Sequence, residues 1–591
     1  MMKTRIENLL RQALSELQQQ GLLNVDSQPS FLVERCRDPA HGDWASNVAL
    51  VYAKACGLRP RDLAAQLVAA LPAEDCIDAI DIAGPGFINF RVDESAARQG
   101  LFQVLAQGES YGHSQAGAGQ TIQIEFVSAN PTSSLHVGHG RGAAYGMTVA
   151  NMLAAQGYRV EREYYVNDAG RQMNILATST YLRYLELCGE IFPFPSNGYR
   201  GDYVRDMARV LQEREGDRMR RAGSELFAGV AADETKDAQG VVIAGDKEAH
   251  IDDLIRRSQE LLGASDYELF FAHALNTILD DIRDDLAEFG VHYDRWYSER
   301  SLVDSQALTR ALDRLGAAGA TYEQGGALWF RATAFGDDKD RVLVRDNGQS
   351  TYFASDVAYH LDKFERGADR IIDIWGADHH GYIARVRAAL KALGLDSDRL
   401  EVRLVQFVTL WRGDEQVQMS SRSGQFISLR ELRQEVGNDA ARFYYIVRKS
   451  EQHIDFDLAL ATSQSKDNPL YYIQYAHARV CSLFARLTAE SIHPDLEHAD
   501  VRLLSADEDP LVRRILAFPA LLARATQDRE PHQIAHELRD LAGEFHAWYN
   551  ATKVLVEASD LRDARLLLCA ATAQVLRNGL ALLGVQAPTQ M

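Results

Sequence analysis

The chain has 591 residues, of which 46% are apolar and 25% charged, and its formal net charge is −20. That length is several times that of one domain and the mixture is that of a folded globular protein, which excludes a disordered chain and a one-domain module. The acidity argues against a broad basic coat for nucleic acid but leaves a local basic surface open.

Near the N-terminus, Ile6, Leu9, Leu10, Ala13, Leu14 and Leu17 recur at helical spacing between charges. This predicts an amphipathic helix rather than a secretory leader. The first segment runs to about residue 115 and closes on a turn, Ile82-Ala83-Gly84-Pro85-Gly86, and a strand at Phe87 to Phe90. The Gly- and Ser-rich stretch 108–119 marks a boundary. None of the six cysteines stands in a CxxC pair, so reduced thiols in a cytoplasm are expected, with no structural zinc or disulfide framework.

An alternating strand follows at 121–127, then the loop SANPTSSL, a helix at about 137–155 and a strand at 159–166. Strand, helix and strand in this order form a βαβ unit and predict a parallel sheet. Residues 196–263 are charged and helical and are expected to be an insertion. Strand signals return at 327–330, 341–344, 370–375 and 402–410, and from about 465 the pattern is helix after helix. The apolar run Leu566 to Leu576, bounded by Arg565 and Arg577, is too short for a bilayer and suits a buried helix, so no membrane partner is expected. The expected division is 1–115, 116–400 with its insertion, 401–464 and 465–591.

The segment Glu125 to Gly142 leaves a strand and enters a helix through Gly138, Gly140 and Gly142. Such a start presents free N–H groups and the positive end of the helix dipole, which suits phosphate, and His136 and His139 can donate to its oxygens. Two alternatives stay open at this level. Gly138-x-Gly140-x-x-Ala143 fits a dinucleotide fingerprint with Glu161 or Glu163 as the ribose carboxylate, and the turn can also serve packing alone.

The string His136-Val137-Gly138-His139 resembles the HIGH signature of class I aminoacyl-tRNA synthetases. The extended form IEFVSANPTSSLHVGHGRG is similar to arginyl-tRNA synthetases in particular. EYYVNDAGRQ (163–172), STYFASDVAYH (350–360), IWGADHHGYIARV (374–386), GNDAARFYY (437–445), the segment 455–479 and FHAWYNATKVL (545–555) follow in family order. The resemblance spans essentially the whole chain. It implies a Rossmann-like parallel-sheet catalytic core with an insertion, an α+β N-terminal domain contacting tRNA, and an all-α anticodon-binding bundle. The implied activity is ATP-dependent ligation of L-arginine to the terminal adenosine of its tRNA. Magnesium enters with ATP, and no tightly bound metal or organic cofactor is implied. A cytoplasmic monomer that activates arginine only with tRNA bound is the family's usual form.

By that resemblance, His136 and His139 assist the chemistry, and Gly138, Gly140, Gly376, Asp378 and His379 contact ATP. Glu125, Ser128, Asn130, His136, Tyr352 and Asp356 hold arginine, since a guanidinium fork pairs best with carboxylates. Without the resemblance, Glu125 reads as a surface acid and Tyr352 as a core aromatic. A metal site from His360, His379 and His380 is the alternative to ATP at 376–381, although adjacent histidines point apart. The chain departs from its relatives at the second class signature. In Gln418-Met419-Ser420-Ser421-Arg422-Ser423-Gly424 both lysine positions are replaced, and Ser133 stands where some relatives carry a substitute lysine. Met419, Ser420 and Ser421 remain ATP contacts, Arg422 is the expected cation, and Arg412 and Lys363 are remoter choices. On the bundle, Tyr475 and Arg479 share a face at helical spacing and, with Trp548, are expected to meet unpaired bases. Trp44, Asn47 and Phe87 fall in the strings matching the N-terminal tRNA-contacting domain.

Overall fold

The computed structural model describes residues 2–21, 30–36, 38–72, 74, 77–92, 97–237, 239–417 and 427–591. At its centre are five strands: β1 (Thr121–Glu125), β2 (Arg159–Val166), β3 (Arg295–Ser298), β4 (Arg370–Gly376) and β5 (Leu400–Val405). They pair in the order β5-β4-β1-β2-β3, every pair parallel. Helices cover both faces, so β1 and β4 carry fully buried isoleucines at 122, 124, 371 and 372. The strand order reverses between β1 and β4, which opens a crevice at the carboxyl ends of these strands.

Helix α1 (Val137–Ala155) joins β1 to β2. A Cβ at Gly146 would run into the Phe126 ring, so glycine is what allows the helix to lie this close to the end of β1. Between β2 and β3 the chain passes through α2 (Arg171–Leu187), the expected insertion, and α3 (Lys247–Glu288). Helix α3 breaks at Gly263, where φ is 72°, at the predicted end of the insertion. The insertion carries a helix at Asp202–Glu215 and a short hairpin of Thr235–Lys236 with Val242–Ala244.

The strand signals at 327–330 and 341–344 do not enter the central sheet. With Thr321–Gln324 they form a separate antiparallel sheet, from which α4 (Tyr352–Glu365) returns to the core. The single run expected at 402–410 resolves into β5 and a second strand, Val408–Arg412, which pairs with Glu415–Val417 and Ile454–Asp457. Because β5 pairs with β4, the catalytic sheet continues to residue 405, and the division at 400/401 cuts into it.

The N-terminal unit is α+β. Strands 33–35, 44–46, 87–92 and 77–83 form an antiparallel sheet in that order, packed on helices Met2–Gln19, Val48–Cys56 and Pro60–Ala70. The C-terminal unit is helical: α5 (Pro469–Ala489), α6 (Asp509–Asp528), α7 (His532–Ala551) and α8 (Ser559–Leu583). Helix α8 is long and apolar enough to cross a membrane, yet 78% of its apolar window is buried in the protein. The bundle docks on α1 itself: Tyr145 Oη donates to the Arg529 carbonyl at 2.9 Å and Asn151 to the Leu582 carbonyl at 3.1 Å.

Candidate active site

His136 is the N-cap of α1 and His139 its third residue. The Gly138 N–H donates to His136 Nδ1 at 3.1 Å, and the His136 N–H to His139 Nδ1 at 3.3 Å. Each Nδ1 is therefore an acceptor, which places the remaining ring proton on Nε2. The rings stack with centroids 3.7 Å apart. Burial pushes His139 down to about 3, with His136 adding to the effect, and burial lowers His136 as well. The pair is thus two neutral N–H donors at a helix N-terminus, a phosphate-binding arrangement without a side-chain charge.

The backbone enters this site through strain. Strand β1 stops at Glu125, and Val127 and Ser128 take left-handed φ values of 71° and 42°. Val127 therefore does not continue the alternation of the strand. Such a conformation is costly for a β-branched residue and persists only where its surroundings fix it. Here Tyr293 Oη donates to the Phe126 carbonyl at 2.9 Å, and Ser128 Oγ donates to Glu125 Oε1 at 2.8 Å while accepting the Tyr165 N–H at 3.1 Å.

Carboxylates line the crevice below. Glu125 is 8% exposed and Asp373, its register partner on β4, is fully buried. Along α4, residues 356, 359, 360 and 363 fall on one face at helical spacing, and Arg366 follows as its C-cap. Lys363 Nζ donates to Glu125 Oε2 at 2.5 Å and to Asp373 Oδ1 at 2.7 Å, and His360 Nε2 lies 2.9 Å from Asp373 Oδ2. Arg366 forms a fork on Glu163. Burial alone would raise Asp373, but Lys363 and His360 outweigh it and hold the carboxyl below its usual range.

Asp356 is different. Tyr382 Oη donates to it, yet burial raises its pKa above the ordinary carboxylate range. Glu299, just past β3, is buried and pushed up to about 7, first by burial and then by Asp356 and Asp168. Its Oε2 has no hydrogen bond of good geometry, and neither has the nearby Tyr165 hydroxyl. These two half-satisfied acids stand at the carboxyl edge of the sheet and suit a planar cation.

Several expectations change. Glu125 is not a surface acid, and Tyr352, 56% exposed, is not a core aromatic. Lys363 is buried in its carboxylate pair, which removes it as a phosphate cation, and Arg412 is paired with Glu435. Gly140 is buried, and a Cβ there would meet Leu429 and Tyr445, so packing rather than ATP requires that glycine. Glu163 is taken by Arg366 and Glu161 by Arg159, which leaves the dinucleotide fingerprint without its ribose carboxylate. His360 is turned to Asp373, whereas His379 and His380 are exposed. Gly376 ends β4, with Asp378 and His379 exposed on the turn after it. Asn130 is exposed and accepts from the Asn167 amide at 3.2 Å.

Met419, Ser420, Ser421 and Arg422 lie outside the described residues. The chain just after them is fixed beside the histidines, since the Val137 N–H donates to the Ile427 carbonyl and the Leu429 N–H to the Leu135 carbonyl. On the bundle, Trp548 is buried against Phe545, which corrects its assignment to RNA. Tyr475 is 40% exposed and stacks on Tyr471 and His546, with Arg479 over the rings of Tyr475 and Tyr549. In the N-terminal unit Trp44 lies under Arg35, Asn47 accepts the Leu32 N–H, and Phe87 is partly exposed.

Sequence reasoning missed Glu299 and the Glu125–Lys363–Asp373 set. A carboxylate directly after a sheet-edge strand was the available signal for the first. The Lys363 side chain reads as an ordinary helix surface group in any single-chain pattern.

Three family models match the chain: an arginyl-tRNA synthetase N-terminal domain over 4–92, the class I (R) tRNA synthetase catalytic domain over 100–185 and 246–455, and a DALR anticodon-binding domain over 473–591. The arginine–tRNA ligases of Thioalkalivibrio sulfidiphilus and Acinetobacter baylyi are each 56% identical to it, with all of both chains covered. A putative arginyl-tRNA synthetase structure from Campylobacter jejuni is 31% identical with a TM-score of 0.72, covering 85% of this chain and all of that one. The Thermus thermophilus arginyl-tRNA synthetase shares the fold over both full lengths at a TM-score of 0.71 and 24% identity. The chain belongs to the arginyl-tRNA synthetases, class I ligases that use ATP to join arginine to its tRNA.

Proposed function

We propose that the crevice binds L-arginine with its guanidinium against Asp356, Glu299 and Glu125, its α-amino end at Asn130, and its carboxylate toward ATP at the histidine pair. Tyr352 and Ser128 flank the fork, and Asp378, His379 and the turn at Gly376 face the adenosine side of Mg-ATP. The arginine carboxylate attacks the α-phosphate and pyrophosphate leaves. The terminal adenosine hydroxyl of tRNA then attacks the adenylate carbonyl and AMP leaves. No protein nucleophile is needed, so the contribution of the site is alignment and stabilisation of phosphate charge.

Because His136 and His139 are neutral donors, a cation has to come from elsewhere. Arg422 remains the choice, in a segment whose downstream end is fixed beside the histidines. Tyr475 and Arg479 form the surface offered to unpaired anticodon bases. The cytoplasm is the proposed compartment, in keeping with five described cysteines that are free thiols.

The observation that carries the arginine pocket is the pair Asp356 and Glu299, both with raised pKa and neither with an ion pair among the described residues. ATP-dependent attachment of labelled arginine to tRNA, measured for the parent and for Glu299→Gln, tests it. A Glu299→Gln enzyme with the parent's arginine KM would remove Glu299 from the pocket.

A further inference from the structure

Glu125 and Asp373 stand opposite one another on neighbouring strands. Two carboxylates so placed repel unless a cation lies between them. Lys363 supplies it from α4, with a side chain that is itself buried and an ammonium 4.4 Å from the Tyr359 ring centroid. Glu125 has two further donors among the described residues. Ser128 holds Oε1, and Tyr359 Oη lies 2.9 Å from Oε2. The same Tyr359 hydroxyl lies 2.7 Å from Glu163, and its single proton serves one carboxylate at a time. Lys363 is therefore the charged donor that fixes the Oε2 side of Glu125.

We propose that Lys363 is a positioning residue for arginine recognition: its buried ammonium locks the Glu125 carboxylate in the orientation that presents Oε1 to the substrate. This rests on the placement of Glu125 in the arginine pocket. It also divides the labour in the site. Glu125 contributes a fixed acceptor whose charge is shared inside the protein, and the charge the guanidinium meets comes from Asp356 and Glu299. The competing account is that Lys363 only neutralises buried Asp373.

The experiment compares Lys363→Met, the double variant Lys363→Met with Asp373→Asn, and Glu125→Gln, in pyrophosphate exchange with tRNA present and in thermal unfolding. Lys363→Met should lower the melting temperature and raise the arginine KM at least about tenfold, with the ATP KM and kcat near those of the parent. In the double variant the unpaired Asp373 charge is gone, so the melting temperature recovers while the arginine KM stays high. An arginine KM within twofold of the parent in the double variant overturns the proposal and leaves Lys363 as the neutraliser of Asp373. If Glu125→Gln itself leaves the arginine KM unchanged, the underlying placement of Glu125 fails instead.

Discussion

The two ends of the crevice are built in opposite ways. At the proposed phosphate end, two stacked neutral imidazoles spend their Nδ1 atoms on capping their own helix. At the proposed arginine end, charged groups are laced together: Lys363 between Glu125 and Asp373, and Arg366 on Glu163. Among the described residues Asp356 and Glu299 have no ion pair there, and both have raised pKa. The difference follows from the ligands. Triphosphate brings several charges and its own magnesium, so helix N–H groups and neutral donors can carry most of its contacts, with one cation, proposed to be Arg422, added from outside the histidine pair. A single guanidinium must be told from other cations, which takes carboxylates held in one geometry, and holding buried carboxylates takes internal cations.

The sharpest way to break this contrast is His136→Ala. Loss of a transition-state donor should lower kcat for adenylate formation by about a hundredfold while the arginine KM stays put. His136→Asn, which keeps an N-capping side chain, should restore the melting temperature but not kcat. If arginine KM moves instead, the two ends are not separate. At the other end, Asp356→Asn should raise the arginine KM by about thirtyfold, corresponding to about 2 kcal/mol for an unpaired charge, with kcat little changed. A KM within twofold of the parent would show that the guanidinium lies elsewhere.

The pH profile sharpens the contrast further. Glu299 is pushed up to about 7 in the free enzyme, so below that pH it is protonated and must lose the proton before it can pair with a guanidinium. Arginine KM should therefore rise as pH falls, about tenfold between pH 8 and pH 6. Glu299→Gln should flatten that rise and start from a higher KM. No such rise should appear in the ATP KM. Outside the crevice, the variant to test is Tyr475→Ala on the bundle. It should raise the tRNA KM by about tenfold, the worth of one stacked base, and leave both arginine and ATP KM unmoved. Trp548→Phe should leave even the tRNA KM within twofold.

Much of this was legible in the chain. Helix α1 and strand β2 fall on the predicted residues because Gly138, Gly140, Gly142 and the alternation at 159–166 are local signals. The parallel sheet and the helical bundle follow from the order of elements, whereas the insertion expected at 196–263 compares with a gap at 186–245 in the catalytic family match. What was hidden is non-local. Strand β3 is only four residues, Arg295–Ser298, too short for a clear period, and Glu299 gains its meaning from that strand's place at the sheet edge. Trp548 and Tyr475 share aromatic chemistry, and only packing separates the buried one from the exposed one. Lys363 looks like a helix-surface lysine until α4 is laid on β1 and β4.

The turn at Val127 and Ser128 has a bearing on how the enzyme fails. A left-handed valine is tolerable only while Phe126, Ser128 and Tyr165 are gripped by their partners on β2 and at Tyr293. The turn therefore depends for its conformation on partners outside itself. When the structure loosens, this turn should relax before the strands part, and Glu125 and Asn130 on either side of it should lose their spacing. The proposed arginine pocket should therefore act as an early gauge of the fold: on heating, amino acid activation should be lost while circular dichroism still reports an intact protein.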